Sequence, residues 1–157
     1  MIKRFSFRLD QVLRHRASIR DLKEREFAEV EAQLMREEQI LLDLKRMQNE
    51  MLDSLTRIQA SEFETLEREL YAQYLGWLSS EIEREKQVIS DIHVLLEAKR
   101  KDLVRALQDH RVVERLKDRQ FDSYNKDLER TNQGILDEIA SGSHARGVRI
   151  LGAGGNA

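Results

Sequence analysis

The side chains able to do chemistry in this chain are few and scattered. It has four histidines and no cysteine. His15 lies in a basic N-terminal stretch, His110 on an apolar track with His93 beside it, and His144 near the C-terminus. No two stand at the i, i+4 spacing by which a helix presents two ligands to one metal ion. Without cysteine there are no disulfides and no thiolate metal sites, which fits a reducing compartment. Asp137-Glu138 lacks a convergent partner for general acid–base work. Gly152-Ala153-Gly154-Gly155 follows no strand and opens no helix, so it does not cradle a phosphate. There is no Gly-x-Ser-x-Gly and no Cys/His pair. These residues predict a protein that is not an enzyme and carries no metal or cofactor.

The elements that position these residues are helices. The chain has no proline, and Gly76 and Gly134 are the only glycines before Gly142. Proline costs about 3 kcal/mol in a helix interior and glycine about 1, so long helices tend to exclude both. Phe27, Val30, Leu34, Glu37, Leu41, Leu44, Gln48, Met51, Leu55 and Ile58 step by alternating threes and fours, and all but Glu37 and Gln48 are apolar. Such a seam keeps one narrow stripe against a partner helix. A second track holds Leu78, Ile82, Ile89, Ile92, Leu96, Leu103, Ala106, Val113 and Tyr124, interrupted by Glu85, Lys99, His110, Lys117 and Gln120. Disorder would also suit a mean hydropathy of −0.62, but disordered chains do not sustain an apolar repeat. The 36% charged and 6% aromatic composition likewise argues for a buried seam rather than a thick core.

The expected architecture is all-α: a long two-helix antiparallel coiled-coil hairpin with an overhanging C-terminal helix. The hairpin occupies residues 1–141, with a helix over about 7–59, a turn at about 59–62 and a helix over about 62–141. Residues 142–157 are read as a flexible Gly/Ala-rich tail. Ser61 and Glu64 have the spacing of a capping box at the turn. Gly76–Ser80, with Ser80 and Glu83, is a second place for a break. Reversal near residue 60 puts Leu44 opposite Leu78, Phe27 near Leu95 and Leu9 near Val113. Everything after about residue 114 then lacks a partner, although Phe121, Tyr124, Leu128, Ile135 and Ile139 continue an apolar stripe. An exposed stripe of this kind marks an interaction surface, for a foreign partner or a second copy.

The net charge of −2 hides an asymmetry. Residues 1–20 hold six lysines and arginines against Asp10 alone, a net +5, and the stretch from Gly142 adds Arg146 and Arg149. That leaves −9 for the body. A basic start is either a solvated face or a dock for an acidic protein surface. Nucleic acid is not an expected partner, because the acidic body repels a phosphate backbone. No run approaches the roughly 20 apolar residues of a membrane span. The N-terminus lacks the apolar core of a secretory signal. No direct membrane insertion is expected, and the predicted compartment is the cytoplasm.

Two stretches carry a family resemblance. Phe5-Ser6-Phe7-Arg8-Leu9-Asp10-Gln11-Val12-Leu13-Arg14-His15-Arg16 resembles the F-x-F-R-L-x-x-V-L-x-x-R start of the flagellar FliJ proteins. Lys99-Arg100-Lys101-Asp102-Leu103, Tyr124 and the closing Leu136-Asp137-Glu138-Ile139-Ala140 resemble that family's basic-and-leucine run, its tyrosine and its D-E-x-A end. The resemblance implies a coiled-coil stalk of the type III protein export apparatus in bacterial flagellum biogenesis and motility. Such a stalk inserts into the export ATPase hexamer and promotes its assembly. It also contacts the cytoplasmic domain of the export gate membrane protein and handles export chaperones. Its implied place is cytoplasmic, peripheral to the inner membrane at the flagellar base. On that analogy the ATPase-binding residues are Phe5, Phe7, Arg8, Leu9, Val12, Leu13, Arg16, Phe121, Tyr124, Leu128, Asp137 and Glu138. The export-gate-binding residues are Tyr71, Tyr74, Trp77, Leu78 and Ile82. The stalk of a virulence-type secretion system and a homodimeric structural scaffold are the alternative readings.

Overall fold

In the computed structural model the described residues are 4–59 and 65–151, with side chains described over 4–58 and 65–142. They form two long helices packed against each other, α1 (Asp10–Gln59) and α2 (Thr65–Leu151), and no strand among the described residues. Asp10 opens α1 and Arg57 lies in its last turn, each opposing the partial charge of its helix end. The expected turn at about 59–62 and its Ser61–Glu64 cap lie outside the described residues, apart from Gln59, which ends α1. The second possible break is not one. α2 passes through Gly76–Ser80, where Ser80 Oγ donates to the Gly76 carbonyl at 3.1 Å instead of capping a new helix.

The chain divides into two compact units, one of residues 16–108 and one of residues 1–15 with 109–157. In the first, Val30 and Leu34 of α1 pack with Ile92 of α2, and Ile89 and Leu96 lie against them. Leu78, Ile82 and Ala106 are buried as well, Leu78 completely. Each of the ten seam positions from Phe27 to Ile58 is buried or half-buried, Glu37 and Gln48 included. Partner numbers fall along α2 as they rise along α1: Lys99 Nζ donates to Glu26 Oε2 at 2.9 Å, and Gln48 Nε2 to Ser79 Oγ at 2.9 Å. The pairing differs from expectation by about one helical turn, since Glu26 meets Lys99 where the residues near Leu95 were expected. The offset follows from the length of the connection, which heptad spacing does not encode.

In the second unit the chain before α1 is not helical. Residues 4–7 have no regular structure and 8–9 form a turn, closed by Asp10 N–H donating to the Phe7 carbonyl at 3.2 Å. Phe7 is buried and Phe5 half-buried. Two residues apart on a helix they would face opposite ways. Non-helical backbone lets both reach α2, which explains why α1 begins at Asp10 and not near residue 7.

The far end of α2 also departs from expectation. The helix does not stop at Ser141-Gly142 but runs to Leu151. Glycine ends helices by adopting positive φ, and no described glycine does so. Ser141 Oγ bonds back to the Asp137 carbonyl at 2.8 Å, inside a continuing helix. With no proline following, nothing forces a stop.

Candidate interaction surfaces

The N-terminal aromatics close on α2. The Phe5 ring meets Phe121 edge-on, centroids 5.1 Å apart at 72°, and lies 5.6 Å from Tyr124. Lys117 places its ammonium 6.0 Å from the centre of the Phe7 ring and 3.1 Å from Asp10 Oδ1. Arg14 holds the other carboxylate oxygen of Asp10 at 2.7 Å. The Lys117 bond, reinforced by Arg14, keeps the Asp10 carboxyl below its ordinary value of 3.8. Edge-on and tilted ring contacts, a cation near a ring face and a doubly held carboxylate thus fasten one short segment.

This geometry corrects the expectation that α2 lacks a partner after residue 114. Phe121 and Tyr124 are engaged by Phe5, whose pairing with Phe121 keeps the shifted register of Asp10 with Lys117. The exposed stretch begins later. Leu128 is half-buried, whereas every side chain from Glu129 to Ser141 is exposed, including Ile135, Leu136 and Ile139. Asp137 and Glu138 are exposed there, and Gln133 Nε2 donates to Asp137 Oδ1 at 3.0 Å.

Of the proposed ATPase-facing residues, the structure brings Phe5, Phe7, Phe121 and Tyr124 to one place. Arg8, Leu9 and Val12 are exposed, and Leu13 and Arg16 half-buried. Phe7 is a packing residue and not a surface one. Asp137 and Glu138 lie several turns along α2 from Tyr124 and do not join the cluster.

In the residue 16–108 unit, Tyr74 and Trp77 stack with centroids 5.6 Å apart at 22°. Trp77 is 51% exposed. A shallow apolar depression of about 180 Å³ is lined by Met51, Leu70, Tyr71 and Tyr74. Leu78 and Ile82, proposed as gate-binding residues, are buried between the helices and present no surface to a partner. Their 3-4 spacing is that of the seam, and the seam takes them. Tyr71, Tyr74 and Trp77 remain at the surface.

Sequence reasoning undervalued the polar residues on the second track. Lys99 and Lys117, counted as interruptions, are cations that bind α2 to α1. Lys99 and Lys23 together hold Glu26 below its ordinary 4.5, and Glu26 raises Lys99 in turn. The available signal was an acid flanking the first seam, Asp10 or Glu26, opposite each lysine. His110 is half-buried on the track. Among the described residues no group of three metal-ligating side chains converges, and no helix is long and apolar enough to cross a membrane.

Comparison with known proteins gives one match. A family model described as Flagellar FliJ protein matches residues 5–149. No curated protein and no solved structure matches the chain.

Proposed function

The chain belongs to the flagellar FliJ protein family, and from that premise we propose that it is a coiled-coil stalk of the flagellar type III export apparatus. The family is an export component and not an enzyme family. The observation that carries the reading is the family match across residues 5–149, nearly the whole chain. In this reading the two helices form an antiparallel coiled-coil hairpin with an overhanging C-terminal helix. Cross-helix contacts within each unit support that form: Glu26–Lys99 and Gln48–Ser79 in one, Asp10–Lys117 and Phe5–Phe121 in the other.

The stalk enters the export ATPase hexamer with its basic start and the exposed end of α2, and promotes assembly of the ring. Arg8, Leu9, Val12, Leu13 and Arg16 supply the basic and apolar contacts, with Asp137 and Glu138 further along. Phe5, Phe7, Phe121, Tyr124 and Leu128 hold that surface in shape. Tyr71, Tyr74 and Trp77 face the export gate, since exposed tyrosine and tryptophan favour interface contacts. Export chaperones are further partners. The protein works in the cytoplasm, peripheral to the inner membrane at the flagellar base.

The test is ATP hydrolysis by the cognate export ATPase, titrated with the full chain and with a chain lacking residues 129–157. Stimulation by the full chain and its loss on truncation are the expected results. If neither stimulates and neither co-elutes with the ATPase, the stalk reading fails. A dimer held together by Ile135, Leu136 and Ile139 would then point to a scaffold.

A further inference from the structure

Glu37 and Glu85 occupy matching places in the seam of the residue 16–108 unit. Glu37 falls between Leu34 and Leu41 on α1, and Glu85 between Ile82 and Ile89 on α2. Both are half-buried, and the two carboxyl groups approach within hydrogen-bonding reach. Yet Glu85 Oε1 is buried without a hydrogen-bond partner. The two facts have one physical explanation. Ionised carboxylates only accept, so two of them side by side cannot bond; a single proton turns one into a donor and satisfies the other.

Among the described residues no cation is seen to relieve Glu85. The neighbours of Glu85 in sequence are turned elsewhere: Arg84 to Glu81 at 3.0 Å and Lys86 to Glu83 at 2.6 Å. Arg36, beside Glu37, is exposed. The charged groups acting on Glu85 are Glu37 from α1 and Glu81 from α2, both acids. Two other inter-helix polar contacts of this unit, Glu26–Lys99 and Gln48–Ser79, pair a donor with an acceptor. Here acceptor meets acceptor.

We propose that Glu37 and Glu85 form a proton-operated clasp: sharing one proton they draw α1 and α2 together, and with both ionised they loosen the seam around Ile82 and Ile89. Removal from water and the two neighbouring acids push the Glu85 carboxyl above its ordinary 4.5. The folded chain therefore binds this proton more readily than the unfolded one. Stability falls as pH rises through the raised folded value, and is recovered as pH drops towards 4.5. Glu26 and Glu97, whose partners lower them, act in the opposite sense and only below their ordinary value. Above about pH 5 those carboxylates no longer contribute to the pH dependence, so the slope lost in a seam variant relative to wild type reports the clasp.

The experiment is thermal unfolding of the full chain between about pH 8 and about pH 5.5, for wild type, Glu85→Gln, Glu37→Gln and the exposed control Glu83→Gln. The wild type and the control should gain a few degrees in Tm on acidification. Each seam variant should start a few degrees higher at the alkaline end and lose that slope, because an amide donates at every pH. Amide exchange at residues 82–89, corrected for its intrinsic pH dependence, should slow several-fold in acid for wild type and not for Glu85→Gln. A slope undiminished from wild type in both seam variants, or a Glu85→Gln chain less stable at every pH, overturns the proposal. ATPase stimulation does not enter the readout, so the clasp and the stalk function stand or fall separately.

Discussion

Leu78 has the least accessible side chain among the described residues, and shortening it tests how much the seam depends on filled volume. Leu78→Ala should cost about 2–5 kcal/mol, read by chemical denaturation. A loss well under 1 kcal/mol would mean that the helices close over the gap. The Phe5–Phe121 contact is smaller and belongs to a double-mutant cycle, where a coupling of about 0.5–1.5 kcal/mol is expected. Asp10 and Glu26 set the acid limit. Both are lowered by the lysines that hold them, so their contribution is complete above the ordinary values of 3.8 and 4.5 and is lost as pH falls through the lowered ones. Asp10→Asn should therefore leave a shallower acid unfolding limb, followed by circular dichroism. The apolar half of these residues is legible in the sequence through its 3-4 spacing. Lys99 and Lys117 stand on the same track but look like defects there, because spacing shows what shares a face and not what stands opposite.

Both helices are legible as elements, since the absence of proline and the unbroken tracks leave little else for the chain to be. What spacing does not supply is the register between them. A connection longer by a few residues moves every pair by a turn without changing either pattern, and so Phe121 and Tyr124 moved from an expected overhang to a packed cluster. The end of α2 departs from expectation for a related reason. Glycine permits a helix to stop but does not compel it. Gly134 shows the same permissiveness inside the helix: a Cβ added there meets nothing within 4 Å. Gly134→Ala should stabilise α2 by about 0.4–1 kcal/mol, seen as a small rise in helicity and Tm. A loss would mean that this stretch is not helical in solution.

For the whole molecule, the family match places the chain among the flagellar FliJ proteins, an export component and not a known enzyme family. The candidate surfaces are only partly legible in the sequence. The aromatic start stands out by composition, whereas Phe7, Leu78 and Ile82 look like contact residues and are packing residues, a distinction that burial alone makes. Exposed side chains from Glu129 to Ser141 imply that replacing Ile135, Leu136 and Ile139 by alanine leaves Tm nearly unchanged, while replacing Phe5 and Phe7 lowers it. The same exposure sets how this stretch meets a protease. A helix that buries no face has only its own propensity to hold it, and short lengths of such helix open readily in water. Arg130 sits there with its side chain 82% accessible. Trypsin offered the folded chain would cut at Arg130 long before Lys99, where the backbone must first leave its neighbour. Occupancy of that stretch by a partner could then be followed by nothing more than the survival of one peptide bond.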